Sequence, residues 1–145
     1  MKDQNYKNHI RFYPPHHFVF YPVILALIII SIRYAFTNPE KRPEALGFAV
    51  VFILLGWLSF MVRQHYALTV QNRIVRLEMR CRYFELTQKR FELFEQEFSF
   101  AQIAALRFAS DEELPALVDE TLKMRLSPDE IKHSIRHWRP DHMRV

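Results

Sequence analysis

Two long apolar blocks, followed by a tail with helical periodicity, dominate the pattern of this chain. The first block carries no Lys, Arg, Asp or Glu from Phe12 to Ile32, and its centre reads FVFYPVILALIIISI, Phe18 to Ile32. A helix needs about 20 mostly apolar residues to cross roughly 30 Å of hydrocarbon. The block reaches that length when its aromatic start (Phe12, Tyr13, Phe18, Phe20, Tyr21) sits in the interfacial belt. Pro22 falls near the helix start, where a missing N–H costs little, and Arg33 can reach out to headgroups. The second block, ALGFAVVFILLGWLSFMV, fills Ala45 to Val62 between Glu44 and Arg63. The connection TNPEKRPE packs two prolines and four charges into a short turn, which forces an antiparallel hairpin. The pattern therefore predicts a transmembrane hairpin with spans at about 16–36 and 45–62. The chain's two glycines, Gly47 and Gly56, both fall in the second span, where small residues allow close helix approach.

The same blocks could be core helices of a soluble protein, but the rest of the chain is too small to cover both. A cleaved signal peptide would need small residues after the apolar core, and Arg33-Tyr34-Ala35-Phe36 does not supply them. Basic residues near the span ends set the orientation. The N-terminal flank has Lys2, Lys7 and Arg11, and the turn has Arg33, Lys41 and Arg42. The flank after the second span has Arg63, Arg73, Arg76, Arg80 and Arg82, which breaks the tie and predicts both termini in the cytoplasm.

No Gly or Pro occurs between Trp57 and Leu114, so the second span is expected to continue as one helix to about Arg90. Ala67, Val70, Ile74, Leu77, Cys81, Phe84 and Phe91 fall on alternating three- and four-residue steps, with Gln88 filling one slot. This is a heptad seam with Ala67, Ile74, Cys81 and Gln88 at a, and Val70, Leu77, Phe84 and Phe91 at d. Arg73 and Arg80 take g and Glu78 and Glu85 take e, so a parallel dimer would pair Arg73 with Glu78 and Arg80 with Glu85 of its partner. The alternative is that the stripe packs on the chain's own C-terminal helices or on another subunit. Arg63, Arg73, Arg76 and Arg80 form a candidate lipid-facing basic set, each worth about 1 kcal/mol beside anionic lipid. Ordinary positive-inside bias is the simpler explanation for them.

Three capping boxes divide the tail: Ser99 with Gln102, Ser110 with Glu113, and Ser127 with Glu130, the last strengthened by Pro128. They predict three short helices, roughly 100–108, 111–125 and 128–138. Leu114, Leu117, Val118 and Leu122 share one face of the second, and Ile131, Ile135 and Trp138 one face of the third. With Ile103, Ala104 and Phe108 they can close a small core, thin enough to need the long helix or a partner. The expected fold class is all-α, with four parts: an N-terminal cytoplasmic or interfacial segment (1–17), the transmembrane hairpin (18–62), a coiled-coil-like cytoplasmic helix (63–98) and a three-helix module (99–145).

The start KDQNYKNHIRF and the blocks LRFASDEELPAL and LSPDEIKHSIRHWRPDHMRV resemble a family of short bacterial two-span membrane proteins of unknown function. The likeness covers most of the chain. It implies a location in the bacterial inner membrane and implies no activity, cofactor or catalytic residue.

Composition alters this picture little. The chain of 145 residues is 50% hydrophobic with a formal charge of +4, and its single cysteine, Cys81, excludes an intrachain disulfide. The mean hydropathy of -0.14 hides the concentration of apolar residues before Val62. His133 and His137 have the four-residue spacing that can hold a metal on a helix, with Asp129 one turn earlier and His142 beyond. They lie opposite the Ile131–Ile135–Trp138 face, so a solvated polar face is the plainer reading. His9, His16 and His17 read as interfacial residues, and His65 would join the latter two as ligands only if the hairpin brought them together. Nucleotide-binding, zinc-protease and serine-hydrolase motifs are absent from the sequence, and the spans hold no Asp, Glu or Lys to relay protons. A helix-turn-helix reading of the tail fails on its third helix, which begins Pro-Asp-Glu and would repel phosphate.

The expectation is a non-enzymatic integral membrane protein with no cofactor and no catalytic, cofactor-binding or metal site. Its expected partners are the lipid bilayer and either further copies or the other subunits of a membrane complex, with no nucleic acid and no small-molecule substrate. An accessory or scaffolding role leads. A membrane-tethered adaptor for a soluble partner, and a small redox or metal-binding subunit using the membrane-edge histidines, are the alternatives.

Overall fold

A computed structural model describes residues 5–8 and 13–141. The described residues are helical, apart from connecting turns and one isolated bridge between Ala109 and Trp138. The chain divides into two units, one built from Phe12–Thr69 and the other from Met1–Arg11 with Val70–Arg144.

The first unit is a helical hairpin. A π-helical turn at Pro15–Phe20 leads into α1, Tyr21–Thr37. Pro22 is the second residue of α1, so its missing N–H falls at the winding change. Asn38 leaves the helix, its side-chain amide donates to the Tyr34 carbonyl at 3.2 Å, and Thr37 Oγ1 donates to Arg33 O at 3.2 Å. These bonds occupy carbonyls that a helix end leaves unpaired. A 3₁₀ turn, Pro39–Lys41, starts the return into α2, Arg42–Met61, and a second π-helical turn follows at Val62–Ala67.

The two arms pack closely at Ala35, Ala45 and Ala49, which are 2%, 5% and 4% exposed. Arg42 Nε donates to Ala35 O across the turn at 3.2 Å. Of the two glycines, Gly56 lies against α1 and Gly47 does not. A Cβ on Gly56 would meet Ile24 Cγ2 at 3.5 Å, an ordinary contact, and one on Gly47 would meet nothing within 4 Å. Most of the other large apolar side chains face outward, among them Ile30, Phe48, Leu54 and Trp57. The helical stretches Pro15–Thr37 (23 residues) and Pro39–Thr87 (49 residues) are long and apolar enough to cross a membrane.

The second unit gathers α3 (Leu68–Thr87, from Val70 on), 3₁₀ turns at Phe91–Leu93 and Glu95–Glu97, α4 (Phe100–Leu106), α5 (Leu114–Met124) and α6 (Pro128–Ser134). Its core joins Val75, Met79 and Tyr83 of α3 to Phe91, Phe98, Ile103, Leu106, Leu114, Val118 and Ile131. The tail's core is thus completed by the long helix, as its thinness required.

The capping boxes of Ser99 with Gln102 and Ser127 with Glu130 are both fully formed. The third is only half formed. Ser110 Oγ accepts from the Glu113 N–H at 3.4 Å, but the Glu113 carboxylate turns to the Arg136 N–H, the His137 N–H and His137 Nδ1. Consequently α5 begins at Leu114 rather than Asp111. Helix α6 stops at Ser134, short of Trp138. The Trp138 ring still reaches the core, 5.2 Å from that of Phe108, because the chain after α6 pairs Arg139 N–H with Phe108 O at 2.7 Å.

The long helix also ends earlier than its sequence suggests. Thr87 Oγ1 donates to Tyr83 O at 2.7 Å, Gln88 takes the left-handed conformation at φ 58°, and Lys89 N–H turns back to Thr87 Oγ1. A residue in that conformation terminates a helix as glycine usually does. Phe91 therefore leaves the seam: it is 0% exposed, packed against Tyr83, Phe94 and Phe98 with ring centroids 5.2–5.5 Å apart.

Candidate interaction surface

Helix α3 presents two apolar faces. At about 100° per residue, Val75, Met79 and Tyr83 share one line, and all three are buried in the module core. Val70, Ile74, Leu77, Cys81 and Phe84 share a second line, about 180° around the helix. That line is exposed: Val70 55%, Ile74 49%, Leu77 59% and Phe84 46%, with Cys81 exposed as well. The expected alternative, in which the heptad stripe packs on the C-terminal helices, is overturned. The helix packs there through a different stripe. Ala67 lies inside the π-helical turn Val62–Ala67, whose wider winding breaks the phase, so the constant-phase stripe begins at Val70.

Charged residues border the exposed stripe. Arg73 and Arg80 lie on one side of it and Glu78 and Glu85 on the other, as the heptad assignment requires. Arg73, Glu78 and Glu85 are exposed. Arg80 is committed elsewhere: its Nε donates to Glu95 Oε2 at 2.6 Å, and Arg76 Nη1 donates to Glu95 Oε1 at 2.7 Å. Two of the four candidate lipid-facing basic residues thus serve to hold the 3₁₀ segment onto α3. Arg63 and Arg73 remain exposed.

Glu95 is 6% exposed. Burial pushes its carboxyl pKa up, but the hydrogen bonds and charges of Arg80 and Arg76 outweigh burial and hold it below the ordinary 4.5. A carboxylate whose pKa is lowered on folding stabilises the fold above its unfolded value and loses that contribution as pH falls through the folded one. Glu95→Gln is therefore expected to destabilise the module at pH 7, by about 1–3 kcal/mol. The gap to the wild type should close below pH 4.5. Urea unfolding of the full chain in detergent, at pH 7 and at steps below 4.5, checks both the loss and its disappearance.

A second cluster ties the opposite flank of α3 to the loop after α4. Arg82 donates from Nε to Asp111 Oδ1 at 2.6 Å, from Nη1 to Arg107 O at 3.0 Å and from Nη2 to Ala109 O at 2.6 Å. Arg139 Nη1 reaches the same Asp111 oxygen at 3.0 Å, and Arg107 pairs with Asp141. The hydrogen bond from Arg82 and the charges of Arg82 and Arg139 hold the Asp111 carboxyl below its ordinary range, against a smaller effect of burial. The sequence showed Arg82 only as a basic residue after the second apolar block.

The histidines do not converge. His133 Nδ1 lies 2.8 Å from Asp129 O, and its ring packs tilted against that of Tyr6, with centroids 4.0 Å apart. His137 lies beyond the end of α6, with Nδ1 3.0 Å from Glu113 Oε1, so the helical spacing that suggested a metal pair is lost. Among the described residues, no group of three or more His, Cys, Asp or Glu side chains is placed to hold a metal ion. His16, His17 and His65 therefore form no such set, and His9 and His142 lie outside the described residues.

Fold and surface together define an all-helical protein in which the chain forms first a hairpin of long apolar helices and then a small helical module with one two-faced helix. A family model described as a family of unknown function (DUF6526) matches residues 1–145. The chain belongs to that family. No curated protein matches the chain, and no solved structure does.

Proposed function

We propose that this is a non-enzymatic integral membrane protein of the bacterial inner membrane, serving as an accessory or scaffolding subunit of a membrane assembly. The observation that carries the reading is the outward apolar line of α3. The module core is already closed by Val75, Met79 and Tyr83, yet Val70, Ile74, Leu77 and Phe84 stay exposed on the other side. A closed core with a second apolar line outside it is the arrangement of a helix that has a further partner.

The hairpin acts as the anchor. Its arms are long enough to span, and their outward side chains are overwhelmingly apolar, which favours lipid around them. A two-span hairpin returns the chain to the side it left. In keeping with this, Tyr6, before the hairpin, packs on His133, after it. Basic residues after the second arm favour the cytoplasm as that side.

Purification of the full chain from native membranes in mild detergent tests the reading. A membrane protein recovered in fixed stoichiometry is the expected result. Recovery of a soluble partner alone would replace the scaffold with an adaptor, and bound haem or metal would replace it with a redox or metal-binding subunit.

A further inference from the structure

We infer that the exposed stripe of α3 is occupied by the same stripe of a second copy, in a parallel pair whose register is held by Arg73 of each chain against Glu78 of the other. The inference deepens the proposed function and rests on its anchored hairpin. Copies inserted with one topology carry their α3 helices in the same sense, so only a parallel pairing is open to them.

Three observations select a second copy over another occupant. The stripe alternates in four- and three-residue steps from Val70 to Phe84, the spacing that lets a helix meet an identical helix knob into hole. The borders are complementary to themselves: basic residues flank one side and acidic residues the other, so a two-fold axis along the stripe brings Arg73 to Glu78 twice. Lipid would not require the acidic border, because Glu78 and Glu85 would face anionic headgroups.

The structure also separates the two charge pairs that the heptad offers. Arg80 is already bound to the buried Glu95, which leaves Arg73–Glu78 as the pair free to set register. Two heptads make a short seam, marginal for free helices in water. Anchoring in one membrane raises the effective concentration of the copies and compensates for that shortness.

Cys81 lies on the seam at a position where the two copies face each other, and it serves as the reporter. Full-length protein in native membranes is oxidised with copper-phenanthroline, and the disulfide-linked dimer is followed on non-reducing gels. The expected result is a dimer that falls about threefold or more in Arg73→Glu and recovers in the exchange Arg73→Glu with Glu78→Arg. Both sites are exposed, so the exchange leaves the module core untouched. No dimer, or a dimer indifferent to the charge changes, overturns the inference. The scaffold reading fails separately: a stoichiometric membrane partner without the Cys81 dimer leaves that reading standing and removes this one. A charge-sensitive dimer that purifies without any partner does the reverse.

Discussion

Phe91→Ala will destabilise the C-terminal module by about 3–5 kcal/mol. Phe91 is fully buried, and its ring touches those of Tyr83, Phe94 and Phe98, so its removal opens a cavity where α3, the two 3₁₀ turns and the start of α4 meet. Against a total of about 5–15 kcal/mol for a domain, such a loss leaves the module open a substantial part of the time. Leu93, two residues on in the same turn, is 79% exposed. Its replacement by alanine should cost no more than about 0.5 kcal/mol. Hydrogen exchange of the full chain in detergent separates the two: Phe91→Ala should speed exchange throughout α4–α6, while Leu93→Ala should leave it near the wild type.

The second large effect is expected at Arg82. Arg82→Met keeps most of the apolar stem but removes the ion pair to Asp111 and both donors to the carbonyls of Arg107 and Ala109. The Arg82 side chain is 13% exposed while Asp111 is 50% exposed, so solvent screens the ion pair and the two bonds to the part-buried carbonyls carry most of the effect. The expected cost is about 2–4 kcal/mol, mostly from the two lost carbonyl bonds and concentrated where the loop after α4 joins α3. Arg139→Met, which contacts the same Asp111 from a 55% exposed side chain, should cost under about 1 kcal/mol. Exchange at the amides of residues 107–111 is the readout, since about 1.4 kcal/mol corresponds to a tenfold change in local opening.

Much of the fold was legible in the sequence because its signals are local. Two uncharged blocks and a Pro-rich charged turn suffice for the hairpin, and Ser99 and Ser127 start their helices where the boxes place them. The Ser110 box failed for a non-local reason: Glu113 is drawn to the chain beyond α6, which no three-residue spacing can reveal. The end of α3 was hidden because Gln88 supplies a left-handed residue where Gly or Asn is the usual mark.

The surface itself was half legible. Val70, Ile74, Leu77, Cys81 and Phe84 do share one exposed line, but the buried stripe Val75–Met79–Tyr83 was overlooked, although its i, i+4 spacing was available as a signal. Glu95 was missed because Arg76 and Arg80, which account for its burial, lie 19 and 15 residues away. Arg82, likewise, is 29 residues from Asp111. Both are contacts between elements, and they are set by how the module closes on the helix.

The central claim is that α3 works through two opposite faces, one holding its own module and one meeting its copy. Single cysteines placed in turn at 70, 74, 75, 77, 79, 81, 83 and 84 of the full chain, oxidised in native membranes, test it most directly. The account predicts disulfide dimers at 70, 74, 77, 81 and 84 and none at 75, 79 and 83. A flat profile, or one that peaks at 75, 79 and 83, would contradict it.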